Sequence, residues 1–200
     1  MKKLIPSDAN LIPPEAECVF RGEIFDVYQW QQEMFDGHYT TYENLRRADT
    51  VITIGIVDNK VVVIKDSQPH KGTTIGFPGG RVDEIDSSIL AAAQREMREE
   101  TGYEFASWRL VEVIKPLAKM EYFIYIYLAI DLVKENDRIM DAGGEKIELQ
   151  LCDYPEALDR MRGLYHSAIE YIFLENIGSL ENLLGMPEFT GIEVDIPVKR

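Results

Sequence analysis

Glu96, Glu99 and Glu100 stand at i, i+3 and i+4, a spacing that on a helix brings three carboxylates to one patch of surface. Two carboxylates about 6 Å apart repel by about 3 kcal/mol at an effective dielectric of about 20, so such a patch calls for a cation. Arg95 precedes Glu99 by four residues and can hold it, which leaves Glu96 and Glu100 wanting a positive partner. Hard oxygen donors of this kind suit magnesium, or manganese as the alternative. A few carboxylates hold such an ion and a substrate's phosphates complete its shell. The bland alternative is a solvated acidic face, the usual fate of charge runs.

A helix must carry these residues. Asp86, Ser87 or Ser88 can cap its start, and Gly102 offers a left-handed stop. Ile89, Ala93 and Met97 recur at helical spacing and form a stripe that must face a core. The paired Gly79-Gly80 just upstream supplies the turn into it.

Taken together, Gly80 to Tyr103 resembles the Nudix box, G-x5-E-x7-R-E-U-x-E-E-x-G-U, where U is a bulky apolar residue. Arg95, Glu96, Met97, Glu99, Glu100, Gly102 and Tyr103 fill every specified position of its second half. Five named residues would match by chance on the order of once in a million. The first half departs from the pattern. Asp86 stands where the family has glutamate, and eight residues rather than seven separate it from Arg95. The family's acid pairs with the box arginine, and Asp86 can still reach Arg95 if the turn bulges.

The likeness extends from residue 20 to about residue 152, which resemble the ADP-ribose and ADP-sugar pyrophosphatase branch in order and spacing. It implies a metal shell of Glu96, Glu99, Glu100 and the Gly79 carbonyl, holding magnesium or manganese. It also implies a catalytic set of Glu145, Glu99, Glu100 and Arg95, with Glu145 as base ahead of Glu100. In that branch an N-terminal strand arm exchanges with a partner subunit, so a homodimer is implied. Tyr42 precedes Glu43 in a phrase whose aromatic stacks on adenine in some members, and Trp30 is the second candidate. For both, packing against a strand neighbour is the competing reading. Arg46 and Arg47 can pair phosphates or simply face water. Pro116 lies near a proline of ADP-ribose hydrolases, and the Pro116–Glu121 loop, Glu121 included, would contribute to specificity. Three features depart from the branch: Gly76 replaces a glutamate, Asp66-Ser67-Gln68-Pro69 lacks an arginine, and Leu117 replaces a glycine. The implied reaction splits a nucleoside diphosphate linked to a sugar into two monophosphates, with ADP-ribose or an ADP-sugar favoured. A GDP-sugar, a dinucleotide or a non-catalytic nucleotide-binding module are the alternatives.

The rest of the chain is compatible with such a catalyst. It has 200 residues, 46% hydrophobic and 28% charged, enough for one sizeable core. A net charge of −14 argues against nucleic-acid and membrane-surface partners and for a cation requirement. Cys18 and Cys152 make no disulfide framework, and no apolar run approaches a membrane span, so a cytoplasmic protein is expected. His38, His70 and His166 are scattered and need no metal role.

Residues 1–16 read as a poorly ordered leader. Strands are expected at Cys18–Arg21, Ile24–Gln31 and Tyr39–Leu45, with a hairpin turn at Asp36-Gly37, and at 50–57 and 60–65 around Asp58-Asn59. A polar loop should follow over Asp66–Thr74. Beyond the helix come strands at Trp108–Val113, Glu121–Ile130 and Lys146–Leu151. A helix from Pro155 to about Asn176 should turn Leu158, Met161, Leu164, Tyr165 and Ile169 inward. An edge strand is expected at Ile192–Val198. Strands and helices in this order fit an α/β fold, a mixed sheet between helices. That agrees with the α/β/α sandwich the Nudix resemblance implies, with a small N-terminal β arm. The expected division is a leader and arm over residues 1–48 and a catalytic domain over 49–200.

Overall fold

The structure is a computed structural model that describes residues 1–68, 72–137 and 146–196. Its strands are β1 (Lys2–Ile5), β2 (Glu17–Arg21), β3 (Asp26–Glu33), β4 (Tyr39–Arg46), β5 (Thr50–Val57), β6 (Lys60–Gln68), β7 (Gly72–Gly76) and β8 (Gly79–Arg81). Helix α1 (Ile89–Thr101) follows, then β9 (Tyr103–Ile114), β10 (Met120–Glu121), β11 (Ile124–Glu135) and β12 (Lys146–Cys152). The chain ends in α2 (Tyr154–Met161), α3 (Ala168–Ile177), α4 (Leu180–Leu184) and β13 (Ile192–Asp195).

The main sheet runs β12-β6-β5-β11-β9, with β7 added to β6 and β8 to β5. Its β5–β11 pair is parallel and its other pairs antiparallel, so the sheet is mixed. Alternation along the interior strands explains why they are apolar on both faces. Ile52, Ile54, Ile124, Ile126 and Leu128 point into the core beneath α2, α3 and α4, against Met161, Leu174 and Leu183. Val51, Phe123, Tyr125 and Tyr127 point the other way, against Ile89, Ala92 and Ala93 of α1. The sheet thus lies between helices, the expected α/β/α arrangement. Among the described residues no helix is long and apolar enough to cross a membrane.

The three strands of the arm, β2, β3 and β4, form where expected, and β10 adds to β4 to complete the order β10-β4-β3-β2. A tight turn places Gly37 at φ 84° between β3 and β4. The arm carries Val19, Phe20, Ile24, Phe35 and Tyr39 as exposed apolar side chains.

Three expectations are corrected. Residues 1–16 are not a loose leader: β1 pairs antiparallel with β13. Ile5 is fully buried, and Lys3 Nζ lies 2.7 Å from Asp49 Oδ2 in a buried ion pair. Their partners are too distant in the chain for local patterning to reveal. Of the loop expected at Asp66–Thr74, residues 66–68 instead continue β6 and residues 72–74 belong to β7, paired from Ile64↔Gly76 to Gln68↔Gly72, while residues 69–71 lie outside the described residues. Last, the helix expected from Pro155 to Asn176 breaks. Gly163 takes φ 75°, a 3₁₀ turn follows at Tyr165–Ser167, and α3 begins anew. Leu164 and Tyr165 consequently face outward, although Met161 is buried as expected.

Candidate active site

The site forms where β8 runs along β5 and delivers the chain to α1. Gly79 and Gly80 sit opposite Ile52 and Val51, and neither has room for a side chain. A Cβ at Gly79 would lie 2.2 Å from the Val51 carbonyl oxygen, and one at Gly80 would lie 2.5 Å from Glu96 Oε1. The loop therefore lies directly on the helix's acidic patch. Ser88 Oγ accepts from the Ala91 amide at 3.0 Å to cap α1. Gly102, at φ 78°, closes it with a bond to the Arg98 carbonyl. Ala92, Ala93 and Met97 bury its apolar face, which turns the glutamates toward the loop.

Arg95 organises the patch. Its Nε donates to Asp86 Oδ1 at 2.9 Å and its Nη2 to Asp86 Oδ2 at 3.0 Å, a bidentate pair. Nη2 also donates to the Arg81 carbonyl, and Nη1 donates to Glu96 Oε1 at 2.8 Å and Glu99 Oε2 at 3.1 Å. The extra residue before the helix is thus absorbed by the turn, in which Asp86 Oδ2 also accepts from the Asp83 amide at 2.8 Å. Burial pushes the Asp86 carboxyl up, but the Arg95 guanidinium and the Asp83 amide outweigh it and hold it below its ordinary value. Hydrogen bonding to Asp86 raises Arg95 well above the usual range. Burial raises Glu96, with Arg95 opposing. One expectation changes: Glu96 already has Arg95 as a partner.

Glu100 Oε2 accepts from the Gly79 amide at 2.8 Å, so the third glutamate reaches the loop itself. As the side chains stand, no three acidic, histidine or cysteine residues among the described ones converge as a metal cage. The donor set nevertheless fits a hard divalent ion. It consists of carboxylates, on one helix, facing a glycine cradle that a Cβ would fill. Glu145, the expected base, lies outside the described residues.

Beside Gly79 and Glu100 a cavity of about 230 Å³ opens between β6, β7 and α3, with Thr74, Gly76, His166 and Glu170 in its wall. Burial pushes the Glu170 carboxyl up to about 7. Sequence reasoning did not single out Glu170; the only signal was the bare Gly76 across from it. A larger cavity, about 380 Å³, lies between Gln94, Arg98, Tyr103 and Trp108 and includes none of the three glutamates.

The remaining expected substrate contacts have mostly structural occupations. Trp30 and Tyr42 face each other across β3 and β4, with ring centroids 5.7 Å apart. Lys119 Nζ sits 4.4 Å above the Tyr42 ring. Arg46 donates to Glu121 Oε1 at 2.6 Å and to the Tyr28 hydroxyl at 3.0 Å. Glu121, buried, accepts the Ile12 amide with its other oxygen, so it anchors the N-terminal segment. Arg47 stacks 4.4 Å over Tyr122, and its buried Nε has no hydrogen-bond partner among the described residues. Pro116 is partly exposed in the loop that β10 docks against Leu45 and Arg46 of β4.

Compared with known proteins, residues 46–172 match the family model described as the NUDIX domain. An ADP-ribose pyrophosphatase of Bacillus subtilis is 25% identical over 178 residues, covering 80% of this chain and 90% of that one. A putative mRNA-decapping protein of Acanthamoeba polyphaga mimivirus is 32% identical over 112 residues, covering 52% of this chain. The chain spans only 31% of that viral protein. Among solved structures, one described as an ADP compounds hydrolase superposes with a TM-score of 0.63 at 22% identity, covering 86% of this chain and 93% of its own. That likeness speaks for the fold alone. With its whole main sheet, the box helix, α2 and the first half of α3 inside the family model, this chain belongs to the Nudix hydrolases.

Proposed function

We propose that the protein is a divalent-metal-dependent pyrophosphohydrolase that cleaves a nucleoside diphosphate linked to a sugar, ADP-ribose or an ADP-sugar first among them. The observation that carries this reading is Arg95 locking Asp86, Glu96 and Glu99 together beneath a glycine loop that Glu100 holds by the Gly79 amide. The Bacillus relative, matched over most of both chains, supports the choice of substrate. Glu96, Glu99, Glu100 and the Gly79 carbonyl would hold magnesium, or manganese in its place. Such an ion supplies charge neutralisation for the diphosphate and a more acidic water. Arg95 keeps two of the carboxylates in place between turnovers, when their repulsion is unscreened. Glu145 takes the proton of the attacking water, and Tyr42 and Trp30 offer aromatic faces to the base.

Within the expected division at residues 1–48, the strands β2–β4 and the turns between them are proposed to pair with a second copy, which would cover their exposed Phe20, Ile24 and Phe35. A cytoplasmic setting accords with two free cysteines. The alternative, a binding module without turnover, leans on the extra residue before Arg95; the intact Asp86–Arg95 pair supports the hydrolase reading instead. The test is substitution: Glu99→Gln and Glu100→Gln should each abolish turnover while circular dichroism stays unchanged. Full activity in both variants overturns the proposal.

A further inference from the structure

The carboxylate of Glu170 has no task in the chemistry above. It projects from the first turn of α3, and its Oε1 lies 3.2 Å from where a Cβ of Gly76 would stand. A side chain at position 76 and the Glu170 carboxylate would therefore crowd one space, and the bare glycine lets the acid in. The Ser167 hydroxyl bonds to the Ile75 carbonyl, which ties the start of α3 to β7 and fixes the direction from which Glu170 enters. Among the described residues it forms no ion pair; its own backbone amide is the hydrogen-bond donor that stabilises its charge.

The cavity it faces shares Gly79 and Glu100 with the proposed phosphate site, and Thr74 and His166 complete a polar wall. Its volume of about 230 Å³ falls short of a whole drug-sized pocket, typically 300–1,000 Å³, and suits one polar ring. Away from the proposed metal ion, the Glu100 and Glu170 carboxylates make this wall negative, so it suits hydroxyls rather than a phosphate. Vicinal hydroxyls suit it best: a carboxylate accepts both of their hydrogen bonds, as acidic residues do for ribose elsewhere.

We propose that Glu170 is a specificity-determining residue whose carboxylate, admitted by Gly76, binds the hydroxyls of the non-nucleotide sugar of the substrate. This rests on the proposed hydrolysis of a sugar-linked diphosphate. Three measurements test it on the full chain. Calorimetry with ribose 5-phosphate should show binding to the wild type and a loss of about tenfold or more in Glu170→Gln, whereas AMP affinity stays within about twofold. With ADP-ribose, the same variant should raise KM by a similar factor and leave kcat nearly unchanged, with the magnesium dependence unmoved. Gly76→Ala, which pushes on the same carboxylate, should weaken ribose 5-phosphate several-fold. Equal losses for AMP and ribose 5-phosphate, no binding of ribose 5-phosphate to the wild type, or a shifted magnesium dependence would overturn the assignment. A wild type that binds ribose 5-phosphate through Glu170 but does not cleave ADP-ribose would sink the proposed reaction and leave this site standing.

Discussion

Gly79 and Gly80 are neighbours, yet replacing each by alanine should fail in opposite ways. At Gly79 the added Cβ meets backbone: 2.2 Å from the Val51 oxygen and 3.0 Å from Ile52 Cα, where real Cβ contacts under 3.0 Å are essentially never seen. Those atoms belong to β5, in the middle of the main sheet, and can move only by parting β8 from it. Gly79→Ala should therefore cost about 3 kcal/mol, at the upper end of overpacking penalties. That corresponds to about 6–12 °C in melting temperature for a chain of this size. At Gly80 the Cβ meets only the end of a side chain, with Glu96 Oε1, Cδ and Oε2 at 2.5, 2.6 and 2.7 Å. A rotation of Glu96 relieves the clash and forfeits one bond to Arg95, about 1 kcal/mol. The displaced carboxylate should nonetheless lower turnover about a hundredfold, since misplacement by about 1 Å is enough for that. Paired urea melts and initial rates on both variants make the comparison. A Gly80→Ala enzyme with wild-type turnover would refute the placement of Glu96 against the loop, and a Gly79→Ala protein of unchanged stability would refute the packing of β8 on β5.

Other perturbations follow from the same contacts. Glu170 is raised from 4.5 to about 7, so the folded state holds its proton more tightly than the unfolded chain does. Its stabilising share is complete below about pH 4.5 and is lost as pH rises through about 7. Glu170→Gln should accordingly gain about 3 kcal/mol over wild type at pH 8 and almost nothing at pH 4.5, read from melts in the presence of a chelator. Asp86 is shifted the other way, so its contribution is present above its ordinary 3.8 and lost as pH falls below. Asp86→Asn should cost about 2 kcal/mol at pH 7, a difference that closes at low pH; a constant penalty would show that the charge is irrelevant. Light scattering should report a dimer, and a Phe20→Asp, Ile24→Asp double variant a monomer; a wild-type monomer would remove the arm-mediated pairing.

What the sequence disclosed, and what it withheld, follows the range of the interactions. The box helix was legible because each signal is local: Asp86, Ser87 or Ser88 at its start, of which Ser88 proves to be the cap, Gly102 at its end, and Ile89, Ala93 and Met97 between. The hairpins were legible for the same reason, since Asp58 and Asn59 take positive φ values of 50° and 61° in a tight turn. The Asp86–Arg95 pair was anticipated because it spans a single loop. The order of residues 1–16 was not, for β1 pairs with β13 at the other end of the chain. Glu121 reads as a specificity residue where the Pro116–Glu121 loop meets the next strand until Ile12 and Arg46 are seen to engage both its oxygens. Glu170 was invisible for a further reason. The reading of one continuous helix hid the break at Gly163, and that break sets the direction in which α3 aims its acid.

The most direct measurement is the release of AMP from ADP-ribose by the purified wild type, with and without magnesium. The account predicts AMP and ribose 5-phosphate in equal amounts, with turnover that ceases on chelation and returns when magnesium or manganese is restored. Binding of ADP-ribose without cleavage at any metal concentration, or cleavage that persists after chelation, would contradict it.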